Sequence, residues 1–342
     1  MTRPNAIARR LAVILPLALA GIAPGQESPD PKTLKGSIRI DGSSTVYPIT
    51  EAIAEEFREF APKVRVTVGL SGTGGGFKRF SAGEIDISDA SRAIKKSEVE
   101  AAAKGKVEFI ELPVAFDGLT LVVNPKNTWA KSMTLDEIKR IYLASGGAKT
   151  WKEVNPAWPD RPIKVYSPGT DSGTFDYFKE VIAGKEGKIR SDMSVSEDDN
   201  TLVTGVAGDE NAVGFFGVAY YEENKDKLKS VAIDSGKGPV SPTAETIENG
   251  TYAPFSRPLF IYVNAASLKR PEVRRFADFY LENAPALASS TGYVALPETV
   301  YARDKELLKG RKAGTHYIGG DGKGRTGPVT EVFTEANLAP AK

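Results

Sequence analysis

Short strand-like segments alternate with amphipathic helix-like segments along most of this chain of 342 residues. Val64–Val68 alternates apolar and polar residues, as a half-buried strand does, whereas the apolar residues of 49–60 recur at helical spacing. Regular alternation of this kind is typical of α/β layers built on a mainly parallel sheet. We therefore predict an α/β fold.

The pattern stops at Asn124-Pro125 and then restarts, which predicts a second lobe. Without the N-terminal signal described below, about 310 residues remain, and a chain of this size exceeds the size at which a single core usually divides. The predicted strands are 37–40, 64–68, 84–88, 107–112, 119–123, 163–166 and 258–263, and the last of these would return the chain to the first lobe. The predicted helices are 49–60, 95–104, 134–143, 175–182, 200–206, 271–282 and 297–309. Thr134 and Glu137 have the spacing of a capping box.

The N-terminus has the pattern of a secretory signal. Arg3, Arg9 and Arg10 precede an apolar run at 11–20, and small residues follow. We predict a signal peptide at 1–25 and a linker at 26–35, with a retained membrane anchor as the alternative. The chain has no cysteine, so it can have neither a disulfide nor a lipid-modified cysteine. A periplasmic protein is the expected result.

Charge and histidine content exclude several function classes. The chain has 45 basic and 44 acidic residues, which gives no reason to expect nucleic-acid binding. His316 is the single histidine, in a glycine-rich region, and we expect it on the surface. A Ser-His-Asp triad and a histidine metal site therefore lack support. We expect no enzyme activity, no metal and no cofactor.

Three segments rich in small hydroxyl residues and glycine precede predicted helices. They are Gly42–Thr45, Ser71–Gly76 and Pro168–Phe175. The first turn of a helix has free N–H groups and a partial positive charge, which favour an anion. Each segment alone is typical of ordinary caps and turns. Three in one chain favour convergence on one oxyanion, and the glycine run does not match a P-loop.

These segments also carry a family resemblance. Gly42–Pro48, Ser71–Gly76, Asp89–Arg92 and Gly169–Thr174, in this order, resemble the phosphate-binding proteins of the PstS type, the substrate-capturing component of a phosphate ABC importer. The resemblance covers nearly all of residues 36–310. It implies a type II periplasmic-binding fold, in which two α/β lobes are joined by two crossover strands and close on phosphate. The implied ranges are 36–122 for the first part of lobe 1, 123–254 for lobe 2, and 255–342 for the return segment and C-terminal tail.

The resemblance implies a set of phosphate-binding residues, which are Ser44, Thr45, Ser71, Gly72, Thr73, Arg92, Asp171, Ser172, Gly173 and Thr174. Better-known relatives have an arginine where Pro168 stands and an aspartate where Arg92 stands, so the charged pair looks exchanged between the lobes. Arg92 would then face Asp171, with Asp89 as the competing carboxylate. The alternative for Arg92 is a surface pair with a carboxylate such as Asp89. Arg257 is a weaker candidate for the cleft, and the alternative is that it only braces the returning strand.

The predicted function is capture of inorganic phosphate and its delivery to the permease of an ABC importer in the inner membrane, by a protein that we expect to be a monomer. One alternative keeps the fold and binds sulfate, molybdate or another oxyanion. Another is an exported phosphatase or serine hydrolase that uses Ser172. The sequence offers Ser172 neither an activating base nor a metal site, which argues against the hydrolase.

Overall fold

The computed structural model describes residues 30–340 except 146, 171, 185, 186 and 197. The predicted signal peptide and most of the linker lie outside these residues. The strands are β1 (Gly36–Gly42), β2 (Val64–Gly69), β3 (Ile87–Ala90), β4 (Phe109–Val123), β5 (Ser132–Thr134), β6 (Lys164–Pro168), β7 (Ser194–Ser196), β8 (Ala212–Gly217), β9 (Lys229–Ser230), β10 (Ala232–Asp234), β11 (Pro239–Val240) and β12 (Ser256–Asn264). The helices are α1 (Tyr47–Phe60), α2 (Gly72–Ser81), α3 (Lys96–Lys104), α4 (Leu135–Tyr142), α5 (Trp151–Val154), α6 (Gly173–Ala183), α7 (Asp199–Gly208), α8 (Val218–Glu223), α9 (Ala244–Glu248), α10 (Pro271–Ser290), α11 (Glu298–Gly310) and α12 (Val329–Val332).

One long sheet runs through both halves of the molecule in the strand order β2-β1-β3-β12-β4-β8-β6-β7. The first lobe contains parallel β2, β1 and β3, with β12 antiparallel to β3. The second lobe contains β8, β6 and β7, which are also parallel. Strand β4 joins them, because its first part pairs with β12 and its last part pairs with β8. The chain leaves the first lobe through β4 and returns through β12, as the predicted crossover pair requires.

The first lobe has helices on both faces of its sheet, and β12 supplies side chains to both cores. Leu259 and Ile261 belong to the large core that α1 and α10 cover, whereas Phe260 and Tyr262 belong to the core beneath α2 and α3. Successive side chains of a strand point to opposite faces, so a strand buried on both sides is apolar at nearly every position. This explains the unbroken apolar run that marks the returning strand.

The sequence predicts two strands at 107–112 and 119–123, but the structure has one continuous strand, β4. Pro113 lies between the two predicted strands, and it has no N–H to donate to a ladder. The pairing with β12 shifts register at this place: Phe260 opposes Pro113 and Leu259 opposes Ala115. A bulge therefore accommodates the proline without ending the strand.

Two further elements differ from prediction. The strand predicted at 84–88 lies further along the chain, as β3, because its pairing with β1 starts at Ile40 and Ile87 and continues to Gly42 and Asp89. The glycine run, predicted as a loop that precedes residues 77–80, is instead the beginning of α2. A Cβ on Gly76 would lie 2.7 Å from the Cα of Gly42, so close packing requires glycine there in spite of its poor helix propensity.

Residues 311–340, which we call the C-terminal segment, fold back against the first lobe. Gly314 pairs with Ile110 of β4, and Thr315 pairs with Ala339. His316, predicted on the surface, is fully buried. Its backbone N–H donates to Glu111 at 2.7 Å, and its ring packs against Phe333. The prediction was wrong because composition alone could not show that this glycine-rich segment packs on β4.

Most other predicted elements agree with the structure within a few residues, including the capping box of Thr134 and Glu137 at α4. Within the described residues, no helix has both the length and the apolar character that crossing a membrane demands. The residue boundaries of the lobes stay a prediction.

Candidate functional site

The predicted anion-binding segments of the first lobe lie at the carboxyl ends of its parallel strands. Ser43–Thr45 follows β1, Ser71 precedes α2 after β2, and Ser91 and Arg92 follow β3. Because β2, β1 and β3 are parallel neighbours, these ends share one edge of the sheet. Ligands of open α/β sheets bind outside this edge.

The turn at Ser43–Thr45 is fixed by contacts from several elements. Ser43 donates its N–H to the carbonyl of Asp89 at 3.0 Å. The Oγ of Ser43 accepts from the N–H of Thr45 at 3.2 Å. The Tyr293 hydroxyl donates to the carbonyl of Thr45 at 2.6 Å. The turn is thus positioned before any ligand arrives.

Asp41 fixes the loop that leads into α2. Its Oδ1 accepts from the backbone N–H groups of Ser71 at 2.9 Å and of Gly42 at 2.8 Å, and its Oδ2 pairs with Arg79. Burial acts to raise the pKa of Asp41, but the hydrogen bonds from Ser71, Arg79 and Gly42 outweigh it and hold that pKa below its ordinary value. Asp41 therefore stays ionised and keeps the loops after β1 and β2 together.

Thr73, in the first turn of α2, contacts the end of β3. Its hydroxyl accepts from the N–H of Ser91 at 3.2 Å and lies 3.1 Å from the Ser91 hydroxyl. The guanidinium of Arg92 comes next and pairs with Glu98 rather than with Asp89. It is 31% exposed and lies 5.6 Å from the ring of Phe77. Two hydroxyls and a held cation thus stand side by side.

The second lobe contributes α6. Ser172 is its N-cap, and the Ser172 Oγ accepts from the N–H of Thr174 at 3.2 Å. Gly173 is the first helical residue, and glycine has no side chain that could keep a ligand off the backbone. Asp171 lies outside the described residues. The predicted helix N-terminus is present, and its cap has the expected chemistry.

A cavity of about 810 Å³ lies between the lobes and collects most of these groups. Its walls include Ser44, Thr45, Gly72, Thr73 and Arg92, all predicted from the sequence. Ser71, Ser172 and Thr174 are not among the described residues that line it. The wall from α6 comes from later turns, which begin with Asp176 and Tyr177. The charged residues of the wall are Arg92, Asp176, Lys179, Glu180, Arg257 and Arg325.

Comparison with known proteins places this architecture. A family model described as "PBP superfamily domain" matches residues 27–284. Protein SphX of Synechococcus elongatus is 48% identical over 324 residues, covering 93% of this chain and 95% of that protein. The phosphate-binding protein PstS of Staphylococcus haemolyticus is 42% identical over 300 residues, covering 87% of this chain and 93% of that protein. The chain belongs to the PstS-type family of phosphate-binding proteins.

A solved structure supports the same assignment. The crystal structure of a possible phosphate-binding protein from Planctomyces limnophilus is 47% identical, with a TM-score of 0.79, and covers 82% of this chain and 100% of that chain. The type II binding-protein fold implied by the sequence motifs is confirmed. In this PstS-type protein the cleft between the lobes is therefore the candidate ligand site.

Two parts of the cleft wall were missed or undervalued in the sequence. Arg257 is only 15% exposed and contacts groups from both lobes. Tyr317, Arg325 and Thr326 come from the C-terminal segment, beyond the residues that match the superfamily domain. Arg325 donates to the carbonyls of His316 and Asn337 at 2.8 and 2.7 Å, which fixes this wall. No local motif marks these residues, since only the return of the chain brings them to the cleft.

The carboxylates of the site differ in accessibility. Asp89 is fully buried, neither of its oxygens is hydrogen-bonded, and it is not among the described residues of the cavity wall. Burial raises the pKa of Asp89 to about 8, an effect that the nearby Thr50 hydroxyl opposes and the charge of Asp41 increases. Asp176 lines the cavity, and burial raises its pKa although Lys179 and Arg257 act in the opposite direction.

Among the described residues, the groups for hydrolysis or metal binding are not assembled at this cavity. The His316 imidazole lies 3.3 Å from Glu111, inside the first lobe, and is not among the described residues of the cavity wall. Among the described residues, no cluster of three or more histidine, cysteine, aspartate or glutamate side chains could hold a metal ion. The arrangement offers hydrogen bonds and a few charges, which suits reversible binding of a small anion.

Proposed function

We propose that this protein captures inorganic phosphate in the cleft and delivers it to the permease of an ABC importer. The supporting observation is the meeting, in one cavity, of hydroxyl and helix N-terminal groups from the first lobe with α6 of the second lobe. A dianion loses many kcal/mol on leaving water unless its oxygens are fully hydrogen-bonded, and each bond to a charged group returns about 1.5–3 kcal/mol. The relatives named for phosphate binding support the same ligand.

We keep the phosphate-binding residues predicted from the sequence and divide them into those that line the cavity and those that do not. Ser44, Thr45, Gly72, Thr73 and Arg92 line the cavity in the described conformation. We infer that Ser71 of the first lobe also belongs to the shell, and that Asp171, Ser172, Gly173 and Thr174 join it when the lobes close. Closure of this kind supplies the remaining donors from the second lobe and is a common response of two-lobed binding proteins.

Calorimetry with phosphate, sulfate and molybdate tests the ligand. We expect phosphate to bind at micromolar concentration or below, about −8 kcal/mol or stronger, and the other two anions to bind more weakly. Thr73→Val should weaken phosphate binding, whereas Thr204→Val, on the exposed face of α7, should not. Tighter binding of sulfate or molybdate would favour the other-oxyanion alternative.

Small-angle scattering with and without phosphate tests closure. We expect a smaller radius of gyration with ligand, because each lobe holds only part of the proposed shell. Confirmed binding with unchanged dimensions would mean that the ligand occupies a preformed pocket. Light scattering during gel filtration tests the proposed monomer.

The proposal excludes turnover and locates the protein in the periplasm. The family consists of binding proteins of transporters, and neither a histidine pair nor a Ser-x-x-Lys motif accompanies Ser172 in the sequence. Release of phosphate from a phosphate ester at a rate that Ser172→Ala abolishes would contradict the proposal.

The pattern of residues 1–25 supports export, and the N-terminal mass of protein recovered from a periplasmic extract tests it. Co-purification with a membrane permease, dependent on both lobes, tests the partner.

A further inference from the structure

The guanidinium of Arg257 contacts both lobes and both crossover strands. Its Nη2 donates to the Oγ1 of Thr45, in the first lobe, at 3.1 Å. Its Cζ lies 3.7 Å from the ring centre of Tyr177, on α6 of the second lobe. Its Nε lies 3.3 Å from the Oδ2 of Asp117, on β4. One side chain thus contacts the first lobe, the second lobe and the crossover strand β4.

The pair with Asp117 keeps Arg257 in this place. The two residues are register partners on β12 and β4, and their side chains are 15% and 3% exposed. Burial raises the pKa of Asp117, and the charge and hydrogen bond of Arg257 lower it. Leaving either partner alone in this buried position would be costly, so the guanidinium has little freedom to leave.

The bond to Thr45 determines which way that hydroxyl donates. A hydroxyl has one proton and two lone pairs, and Arg257 can only donate. Thr45 Oγ1 therefore accepts from Arg257 and keeps its own proton for another acceptor. Thr45 lines the cavity, and Tyr293 holds its carbonyl. An anion oxygen in the cavity is an acceptor of the required kind.

The contact with Tyr177 ties the same guanidinium to the second lobe. A cation over an aromatic face is attracted by the ring, more strongly where water is excluded. Tyr177 is 5% exposed, and its hydroxyl donates to the carbonyl of Pro254 at 2.6 Å, just before β12. The position of α6 and the position of Arg257 are therefore coupled.

We propose that Arg257 is a positioning residue for anion capture: it orients the Thr45 hydroxyl as a donor towards the ligand and couples that orientation to the placement of α6. This inference rests on the proposed function of the cleft. It predicts that Arg257 affects the affinity for phosphate and sulfate alike, since both offer acceptor oxygens to Thr45. It also predicts that the effect of Arg257 depends on the presence of the Thr45 hydroxyl.

The test is a double-mutant cycle of Arg257→Met and Thr45→Val, with phosphate and sulfate affinities measured by calorimetry. We expect each single change to weaken phosphate binding by about tenfold or more, and the double variant to be little weaker than either single variant. We also expect the ratio of phosphate to sulfate affinity to stay near that of the wild type. Arg257→Lys, which keeps a donor, should recover part of the affinity.

Matched measurements separate this role from a structural one. Arg275 also stacks on an aromatic ring, Phe60, at 4.6 Å, and it pairs with Glu282 away from the cavity, so Arg275→Met should leave affinity unchanged. The melting temperature without ligand is measured for each variant. If Arg257→Met does not fold, Asp117→Asn is added to every arm of the cycle, because no buried carboxylate then lacks its cation.

The outcomes are distinct. Wild-type protein that binds no phosphate refutes the proposed function and leaves the cycle without a signal. Wild-type binding with unchanged affinity in Arg257→Met overturns the inference alone. Independent, additive losses for Arg257→Met and Thr45→Val overturn it too, because Arg257 would then act on the anion directly or through general stability.

Discussion

Glu98 binds the guanidinium of Arg92 through two hydrogen bonds, of 2.8 and 2.9 Å, at the edge of the cleft. Glu98 also accepts from the N–H of Lys95 at 2.8 Å, so the carboxylate is fixed at the start of α3. A bidentate pair of this geometry orients the guanidinium. The Nη1 of Arg92 also donates to the carbonyl of Ala93 at 3.2 Å, which leaves the other N–H groups for a ligand. The guanidinium is therefore held at the edge of the cleft by a carboxylate that is itself fixed in place.

Arg92→Ala should weaken phosphate and sulfate binding together, by about tenfold or more, because a guanidinium attracts both anions without choosing between them. Arg161→Ala is the control, since Arg161 is an exposed arginine paired with Glu210 outside the described cavity wall. Titration calorimetry with both anions gives the two affinities. A loss for only one anion would contradict this role.

A carboxylate in the cleft should favour phosphate over sulfate. Phosphate near neutral pH keeps a proton that a carboxylate can accept, whereas sulfate has none and would face the carboxylate lone pair to lone pair. We expect Asp171→Asn to reduce the ratio of phosphate to sulfate affinity, and Asp160→Asn, on the exposed surface, to leave it unchanged.

Asp176→Asn is the informative companion, because Asp176 lines the cavity while Asp89 is buried away from it. If Asp171→Asn leaves the ratio unchanged and Asp176→Asn reduces it, Asp176 is the acceptor. An unchanged ratio in both variants refutes selection by either of these carboxylates.

Gly76→Ala should destabilise the ligand-free protein by about 1–3 kcal/mol. A Cβ there would lie 2.7 Å from the Cα of Gly42 and 2.8 Å from the Oγ of Ser88. Gly74→Ala, in the same helix, meets nothing within 4 Å and should be neutral or stabilising by up to about 1 kcal/mol. Urea unfolding of both variants measures the difference. Equal effects would show that helix propensity alone matters at these glycines.

Asp89 should make the protein less stable as the pH rises. Its pKa in the folded state is about 8, above its ordinary value of 3.8, so the folded state binds the proton more tightly than the unfolded state does. The stabilisation is complete below about pH 4 and is lost as the pH rises towards 8, at no more than about 1.4 kcal/mol per pH unit. The Thr50 hydroxyl opposes this rise in the pKa of Asp89, and the charge of Asp41 adds to it. Burial and, after it, the charge of Asp89 raise the pKa of Tyr280.

Asp89→Asn should remove that slope, and Asp226→Asn, an exposed aspartate, should keep it. Unfolding free energies at pH 5, 7 and 9 (about two units apart) make the comparison. A variant whose stability still falls as steeply as the wild type would show that another group is responsible.

Local sequence determined much of the secondary structure and the chemistry of the first lobe's loops. Ser44–Thr45 and Gly72–Thr73 could be chosen from the sequence because small hydroxyl residues, glycine and a helix start occur there within a few residues of one another, whereas Arg92 was implied by the family resemblance. Such local signals depend on capping and backbone freedom, which neighbouring residues set. The alternation of strands and helices likewise fixed the α/β class.

Tertiary structure decided the rest. Pro113 remains inside β4 because a bulge against β12 tolerates it, and the glycines of α2 are helical because Gly76 packs on Gly42. His316 is buried and Arg257 reaches Thr45 and Tyr177 only because distant segments return to the same place. Contacts of this range involve residues far apart in the chain, so no local pattern encodes them, and burial and register become known only when the sheet is assembled.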